Sequence, residues 1–459
     1  MKTILFSGLL AFAALVGYPV LGAEHALHKN VSIDFQCAQT GGLASPQQLE
    51  TERRIVDVLA DPRMTTAVAG IEALYRNDPQ FQTESGQRSV RSAAESIAGA
   101  MTEWGVLLAS RPEAFTWTNK TAHSWFNLEV PNTGYGIENP DNVYRHFVLD
   151  PALSYRITGR AGSLEPMQQS FIVYAALPGT QAMTREGAGL VAVLADPKRN
   201  PDGKTFTITM DTSPANGRDN HLQLSDTAAL LIVRDSLSNW AQEQPIDLNI
   251  EVVTPSYTPK VYSHDEAVEN TLALLEGVPS FWLDYDNTYI YSRAANFIAE
   301  PRVRQAGWGG AISGWADLGA DQALKVTLST FGARYLGFQL ADPWGVSLNY
   351  VDKTGSMSNH QAIPNADGTI TYLIAAQDPG YHNWLDTSGL DRVIFAIRWQ
   401  DFERPVTSLA DAVVDVQLVN LDTMDALDTA AITPKERSEQ LAQRVLDYQQ
   451  RLGCGRASD

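Results

Sequence analysis

The sequence predicts a mainly β protein with helical additions (α+β), built on two similar jelly-roll-like β-sandwiches between a helical front and a closing helix. Three observations carry this. Short alternating apolar runs broken by Gly, Pro, Asn and Asp fill most of residues 124–253 and 317–420. Features of the first block return in the second at an offset of about 165 residues. Apolar residues spaced by three and four frame both ends.

The chain opens with Met1 and Lys2, runs apolar from Ile4 to Leu21, and reaches the small pair Gly22-Ala23 before Glu24. This is the pattern of a secretory signal peptide over 1–23. An uncleaved anchor is the alternative, but no basic stop-transfer cluster follows, and no cysteine at the junction calls for a lipid. No later segment is apolar for long enough to cross a bilayer, so no transmembrane segment is expected after the signal is removed. The expected product is a periplasmic or secreted soluble chain of about 436 residues, enough for about two or three domains.

A formal charge of -19, with acidic residues spread along the chain, excludes nucleic acid as an expected partner, because phosphate binding requires clustered Lys and Arg. The two cysteines, Cys37 and Cys454, lie near the mature ends. A disulfide is expected in an oxidising compartment, and it would staple the termini. Free thiols or a metal pair are the alternatives, the latter lacking nearby His or Cys ligands.

The expected organisation after the leader is an N-terminal helical region over 24–123, a first sandwich over 124–254, a linker and helix over 255–316, a second sandwich over 317–420, and a C-terminal helix and tail over 421–459. In the helical region, Met64, Val68, Ile71 and Tyr75 form one apolar stripe. Val90, Ala94, Ile97, Met101, Trp104 and Leu108 form another, which predicts a helical hairpin covering an apolar surface.

The first block predicts strands at Tyr155-Ile157, Phe171-Tyr174, Phe206-Met210, Leu230-Val233 and Leu248-Val252. Ser263 and Glu266 make a capping box for a short helix through Val268, Leu272 and Leu275, which Pro279 is expected to end. The second block predicts strands at Leu324-Leu328, Tyr335-Leu340, Ile370-Ile374, Val393-Ile397 and Val413-Val419. Thr433, Pro434 and Glu436 then start the closing helix, with Leu441, Val445, Tyr448 and Leu452 as its inner face. Between the blocks, LDPALSYRIT at 149–158 parallels LGADQALKVT at 318–327, Asn220-His221-Leu222 parallels Asn383-Trp384-Leu385, and Val233-Arg234 parallels Ile397-Arg398.

The strings Asn139-Pro140-Asp141-Asn142-Val143-Tyr144-Arg145, Asp367-Gly368-Thr369 and Ala376 to Thr387 (AQDPGYHNWLDT) resemble a large bacterial envelope family. It is the domain of unknown function numbered twelve-fourteen, often found with its companion twelve-fifty-four. The resemblance covers most of 125–405 and is strongest at 365–400. It implies jelly-roll-like sandwiches with helical insertions and carries no settled activity. The first copy departs from the pattern, since His221 stands where the second has Trp384 and no Trp follows Arg234.

Three groups of residues are candidates for binding a ligand. Asn139, Asp141, Asn142, Tyr144 and Arg145 concentrate hydrogen-bonding side chains before a strand, as a cleft-lining loop does; an Asx turn with Arg145 in an ion pair is the alternative. His382, Asn383, Trp384 and Asp386 combine a stacking surface with polar groups, or else anchor their loop by Trp384. Arg234 and Arg398 end strands and suit a carboxylate or sulfate, or else sit in structural ion pairs. Asp284, Asp286 and Asn287 lack the later carboxylate of a calcium loop, and the histidines at 123, 146, 221, 264, 360 and 382 show no ligand spacing, so no metal is assigned. No recognisable nucleotide, zinc or nucleophile motif suggests a cofactor.

The sequence therefore predicts an exported protein that binds a small polar or carbohydrate-like molecule between its two copies. A hydrolase or lyase using His382, Asp386 and Tyr144 is a second reading and requires those groups to share a cleft. An envelope structural or assembly protein is a third. No feature of the sequence sets the oligomeric state.

Overall fold

A computed structural model describes residues 33–453 apart from 38, 111–114, 178, 180–188, 256, 305–308, 425 and 428–429. The expected signal peptide and Cys454 lie outside the described residues.

After a two-residue strand β1 (Ile33–Asp34), the front consists of three helices, not a hairpin: α1 (Pro46–Leu59), α2 (Pro62–Arg76) and α3 (Glu84–Ser110). Asp61-Pro62 makes the extra break. The Asp61 side chain accepts from the Arg63 amide and Pro62 fills the first turn, so α2 starts afresh where α1 stops. The apolar stripes read from sequence are the buried ones, Met64, Val68, Ile71 and Tyr75 on α2 and Val90, Ala94, Ile97, Met101 and Trp104 on α3.

The first sandwich is built from β2 (Thr116–Thr118), β5 (Asn142–Val148), β6 (Tyr155–Arg160), β7 (Gln168–Tyr174), β8 (Leu190–Ala195), β9 (Thr205–Asp211), β10 (His221–Gln223), β11 (Leu230–Ser236) and β12 (Asp247–Val252). The short β3 (His123–Trp125) and β4 (Leu128–Val130) join β1 in a separate three-stranded sheet. One layer of the sandwich runs β2-β5-β11-β7-β8, the other β10-β9-β6-β12.

The second sandwich uses β13 (Arg302–Val303), β14 (Gly309–Asp317), β15 (Gln322–Leu328), β16 (Ala333–Ala341), β17 (Ser356–Ser358), β18 (Ile370–Ala375), β19 (Trp384–Asp386), β20 (Arg392–Phe402) and β21 (Val413–Asn420). Its layers run β13-β14-β20-β16-β17 and β19-β18-β15-β21. Each strand has a counterpart in the other sandwich, in the same position and order. The second sandwich thus begins before residue 317, because β13 and β14 belong to it.

Equivalent backbone bonds fix the register between the copies. Leu149 N donates to Ala229 O, and Leu318 N to Asp391 O, both at 2.8 Å. On that register Arg398 corresponds to Ser236 and Arg234 to Ala396. The sequence parallel of Arg234 with Arg398 is therefore displaced by two residues, one pleat period, which keeps both arginines on the same kind of face. Inward positions fill each core: Phe147, Phe171, Phe206, Ile208, Leu231 and Val233 in the first, Val326, Phe338, Val393, Phe395, Ile397 and Trp399 in the second.

Between the sandwiches lies a helical layer. The 26-residue α4 (His264–Tyr289) continues through Pro279 and does not end there as the sequence suggested. Both halves have apolar partners, which offset the one backbone hydrogen bond that proline removes. Leu274 and Val278 pack with α3 against Leu230 and Ile232 on the outer face of the first five-stranded sheet. Ile290 just beyond the helix packs on Ala341, Ile394 and Ala396 of the second. Closing the chain, α5 (Pro434–Arg451) carries the expected capping box between Thr433 and Glu436. Its buried side chains are Arg437, Arg444 and Tyr448, with Arg451 at its end; Leu441 and Val445 are only half-buried. The guanidinium groups sit inside because they reach backbone carbonyls at the seam, Tyr350 O from Arg444 at 2.6 Å and Pro140 O from Arg451 at 2.7 Å. Among the described residues no helix is long and apolar enough to cross a membrane.

Candidate functional site

The loop 137–142 touches the outer faces of both five-stranded sheets, through Asn139 on Tyr144 of the first and Ile137 on Ala341, Ile394 and Ala396 of the second. Alternation along β5 and β11 places Tyr144 and Arg234 on that face, opposite each other as cross-strand neighbours. The Arg234 guanidinium lies 5.4 Å from the Tyr144 ring centre and against the phenol of Tyr174. From the second sheet, Arg398 donates to the Gln339 amide oxygen and, at 2.7 Å, to the carbonyl of Ile137. Ile137 holds φ at 56°, a left-handed conformation that a β-branched residue adopts only under constraint. Its amide is tied to Gly345 O at 2.8 Å, so both ends of this strained unit are held.

Arg304 completes the arrangement. It follows β13, and its backbone amide donates to Gly309 O at 2.8 Å, which lays its side chain along β14 beside β20. Its surface still meets water, while the surrounding protein and the positive charges of Arg398 and Arg234 lower its pKa to about 10. The exposed Arg304 and the half-buried Arg234 and Arg398 leave the recess beside the loop open to water. Elsewhere Arg444 and Arg451 donate to backbone carbonyls, whereas several other arginines pair with acids, Arg145 with Asp235, Arg199 with Glu165, Arg334 with Asp401, Arg392 with Asp317 and Arg437 with Asp378. Among the described residues, Arg234, Arg304 and Arg398 have none within ion-pair distance.

The loop residues expected to bind a ligand mostly build the recess wall. Asn139 donates to the Tyr335 hydroxyl at 2.8 Å, and Asp141 accepts from Tyr335 at 2.8 Å and from Trp240 Nε1 at 2.9 Å. The Asn142 side chain accepts from Ser236 at 2.8 Å, and the Tyr144 hydroxyl accepts from the Asn139 amide at 2.8 Å. Arg145 departs from expectation. As an odd-numbered residue of β5 it points into the sandwich, where it pairs with Asp235 at 2.7 Å and donates to Ile246 O at 2.8 Å.

The second-copy loop is also corrected. Trp384 is buried against the β18-β19 face, its Nε1 donating to Ala375 O at 2.9 Å and its ring covered by Arg437. Asn383 bonds Ile363 and Thr371 backbone groups, and Asp386 accepts from Ser388 N at 2.6 Å and faces Lys353 at 3.5 Å. His382 contacts Asn383 and Gln440 and lines a groove of roughly 670 Å³ under α5, with burial lowering its pKa. No bond or ion pair joins His382 to Asp386. Both lie with the four-stranded sheet of the second sandwich, whereas Tyr144 is on the outer face of the first, so the cleft required by the hydrolase reading is not assembled.

Arg304, Tyr335, Gln339 and Tyr174 escaped sequence reasoning. One weak signal existed: Gln339 interrupts the apolar run Leu336 to Ala341, and the structure buries it. Asp284, Asp286 and Asn287 sit on the last turns of α4 and not in a loop. Among the described residues no group of three His, Cys, Asp or Glu is placed to hold a metal ion.

In its fold the chain is similar to an uncharacterized protein from Burkholderia cenocepacia, at 21% identity and a TM-score of 0.60, over 82% of this chain and 99% of that one. That likeness establishes the architecture, mainly β with helical additions. A protein from Vibrio parahaemolyticus aligns at 12% identity and a TM-score of 0.36, over 62% of this chain and 90% of that one, too little shared layout to bear on the site. No family model and no curated protein matches the chain.

Proposed function

We propose that the protein is exported and binds a small polar molecule in the recess between its two sandwiches, as a member of the family that its 365–400 region resembles. The leader pattern over 1–23 supports export to the periplasm or beyond. The observation that carries the binding reading is the convergence of Arg234, Arg304 and Arg398 without acid partners, beside the strained Ile137 carbonyl. Arg234 and Arg398 are half-buried and Arg304 is exposed beside them, and half-buried guanidinium groups without a carboxylate are candidates for holding an anion. Leu43 N donates to Leu452 O at 2.8 Å, a bond between the N-terminal segment and the end of α5 that supports the expected disulfide of Cys37 with Cys454.

The test is a thermal-shift screen of the mature protein against sugars, organic acids and aromatic metabolites, repeated on Arg398→Ala. A compound that raises the melting temperature of the parent but not of a folded Arg398→Ala supports the reading. Compounds that stabilise both equally place binding elsewhere and overturn it.

A further inference from the structure

We infer that the molecule bound in this recess is a small organic carboxylate, its carboxylate gripped by Arg234, Arg304 and Arg398 and its body laid against Tyr144 and Tyr174. The inference rests on the binding reading above and adds the chemical class of the ligand. In a chain of net charge -19, Arg398 on the Ile137 carbonyl, Arg304 beside the β14–β20 pair and Arg234 over Tyr144, whose hydroxyl is tied to the same loop, have no described carboxylate within ion-pair distance. Each planar fork presents parallel N–H donors that match the two oxygens of a carboxylate. Arg398 is already aimed by its bonds to Gln339 and the Ile137 carbonyl, so its geometry is set before any ligand arrives.

Burial and then the like charges of Arg398 and Arg234 lower the Arg304 pKa, and an entering anion offsets those like charges, which favours a negatively charged ligand. The remaining walls point to an organic body. Tyr144 holds its ring beneath Arg234 with its hydroxyl tied to the Asn139 amide, and Tyr174 faces the same guanidinium. Rigid phenol faces contact a carbon skeleton and add nothing for a bare inorganic ion.

The experiment is isothermal titration of the mature protein with D-glucuronate, citrate and benzoate, beside D-glucose and benzyl alcohol as neutral counterparts and sulfate and phosphate as inorganic ions. Parallel titrations use Arg304→Ala, Arg304→Lys and the exposed-surface control Lys198→Ala. The expected result is binding of at least one organic carboxylate, weakened by added salt, reduced tenfold or more in Arg304→Ala, partly recovered in Arg304→Lys and unchanged in Lys198→Ala. A neutral counterpart binding as tightly as its acid, with Arg304→Ala indifferent, overturns the carboxylate inference and leaves the small-molecule reading standing. Sulfate or phosphate binding as tightly as every organic acid also overturns it. Absence of binding by every compound, charged or neutral, overturns both.

Discussion

The Tyr335 hydroxyl donates to Asp141 Oδ2 at 2.8 Å, and the bond joins the second sandwich to the loop that opens the first. Both groups are buried, and burial raises the pKa of each, so the neutral phenol is the donor and the carboxyl is satisfied by two donors, Tyr335 and Trp240. Gly337 makes room for it. A Cβ there would lie 2.0 Å from the Tyr335 hydroxyl and 3.0 Å from Asp141 Oδ2. Tyr335→Phe strips one donor from a buried carboxyl and should cost about 1–3 kcal/mol in urea unfolding. Gly337→Ala should cost at least as much. Stability within about 0.5 kcal/mol of the parent for both would mean the joint is idle.

Arg145 and Asp235 form a second buried pair, inside the first sandwich, and Asp235 also accepts from the Ile246 amide at 3.0 Å. Removing one partner strands the other charge. Asp235→Ala should therefore lower stability by about 3–5 kcal/mol, while Arg145→Met combined with Asp235→Leu should recover most of that loss. Additive losses in the double variant would contradict the pairing.

The pH dependence follows from acids held above their ordinary values. Burial pushes Asp342 up to about 7 and Glu138 up to about 8; Asp286 is raised by burial and by the neighbouring Asp342 and Asp78 carboxylates. A raised folded-state pKa means that the native protein binds protons the unfolded chain has released. The stabilisation is complete below about pH 4 and is lost as pH climbs through 7 and 8, at up to about 1.4 kcal/mol per pH unit for each group. From these groups, the melting temperature should fall between pH 5 and 8. Asp286→Asn removes the charge and should flatten that slope, most visibly at pH 8. An unchanged slope in Asp286→Asn would reject the cause.

Trp384 is an anchor, so Trp384→Ala should cost about 3–5 kcal/mol and leave the affinity of any recess ligand within twofold among molecules that remain folded. Loss of binding at unchanged stability would return Trp384 to the ligand site.

Local signals made some elements legible from residue spacing. The α5 cap needs only Thr433, Pro434 and Glu436, and the bonds form as that spacing dictates. The stripes of α2 and α3 follow from helical periodicity. The strands of both blocks follow from alternation, and their shared order follows from the repeat. Phase was harder. Whether Arg145 or Tyr144 faces the core depends on one residue of pleat, and the NPDNVYR string contains polar side chains on both faces. The Pro279 stop failed because contacts on both sides of the proline outweigh one missing bond.

By itself, the sequence determined the class of fold, the two-copy layout, the capped helices and the acidic character, since each depends on spacing within a few residues or on composition. Tertiary structure alone assembles the proposed site. Arg234 comes from β11, Arg398 from β20, Arg304 from the segment after β13, and the strained Ile137 from a loop far from all three in sequence. Their convergence arises from packing two sheet faces around one loop, and charges meeting across such a seam leave no periodic trace along the chain.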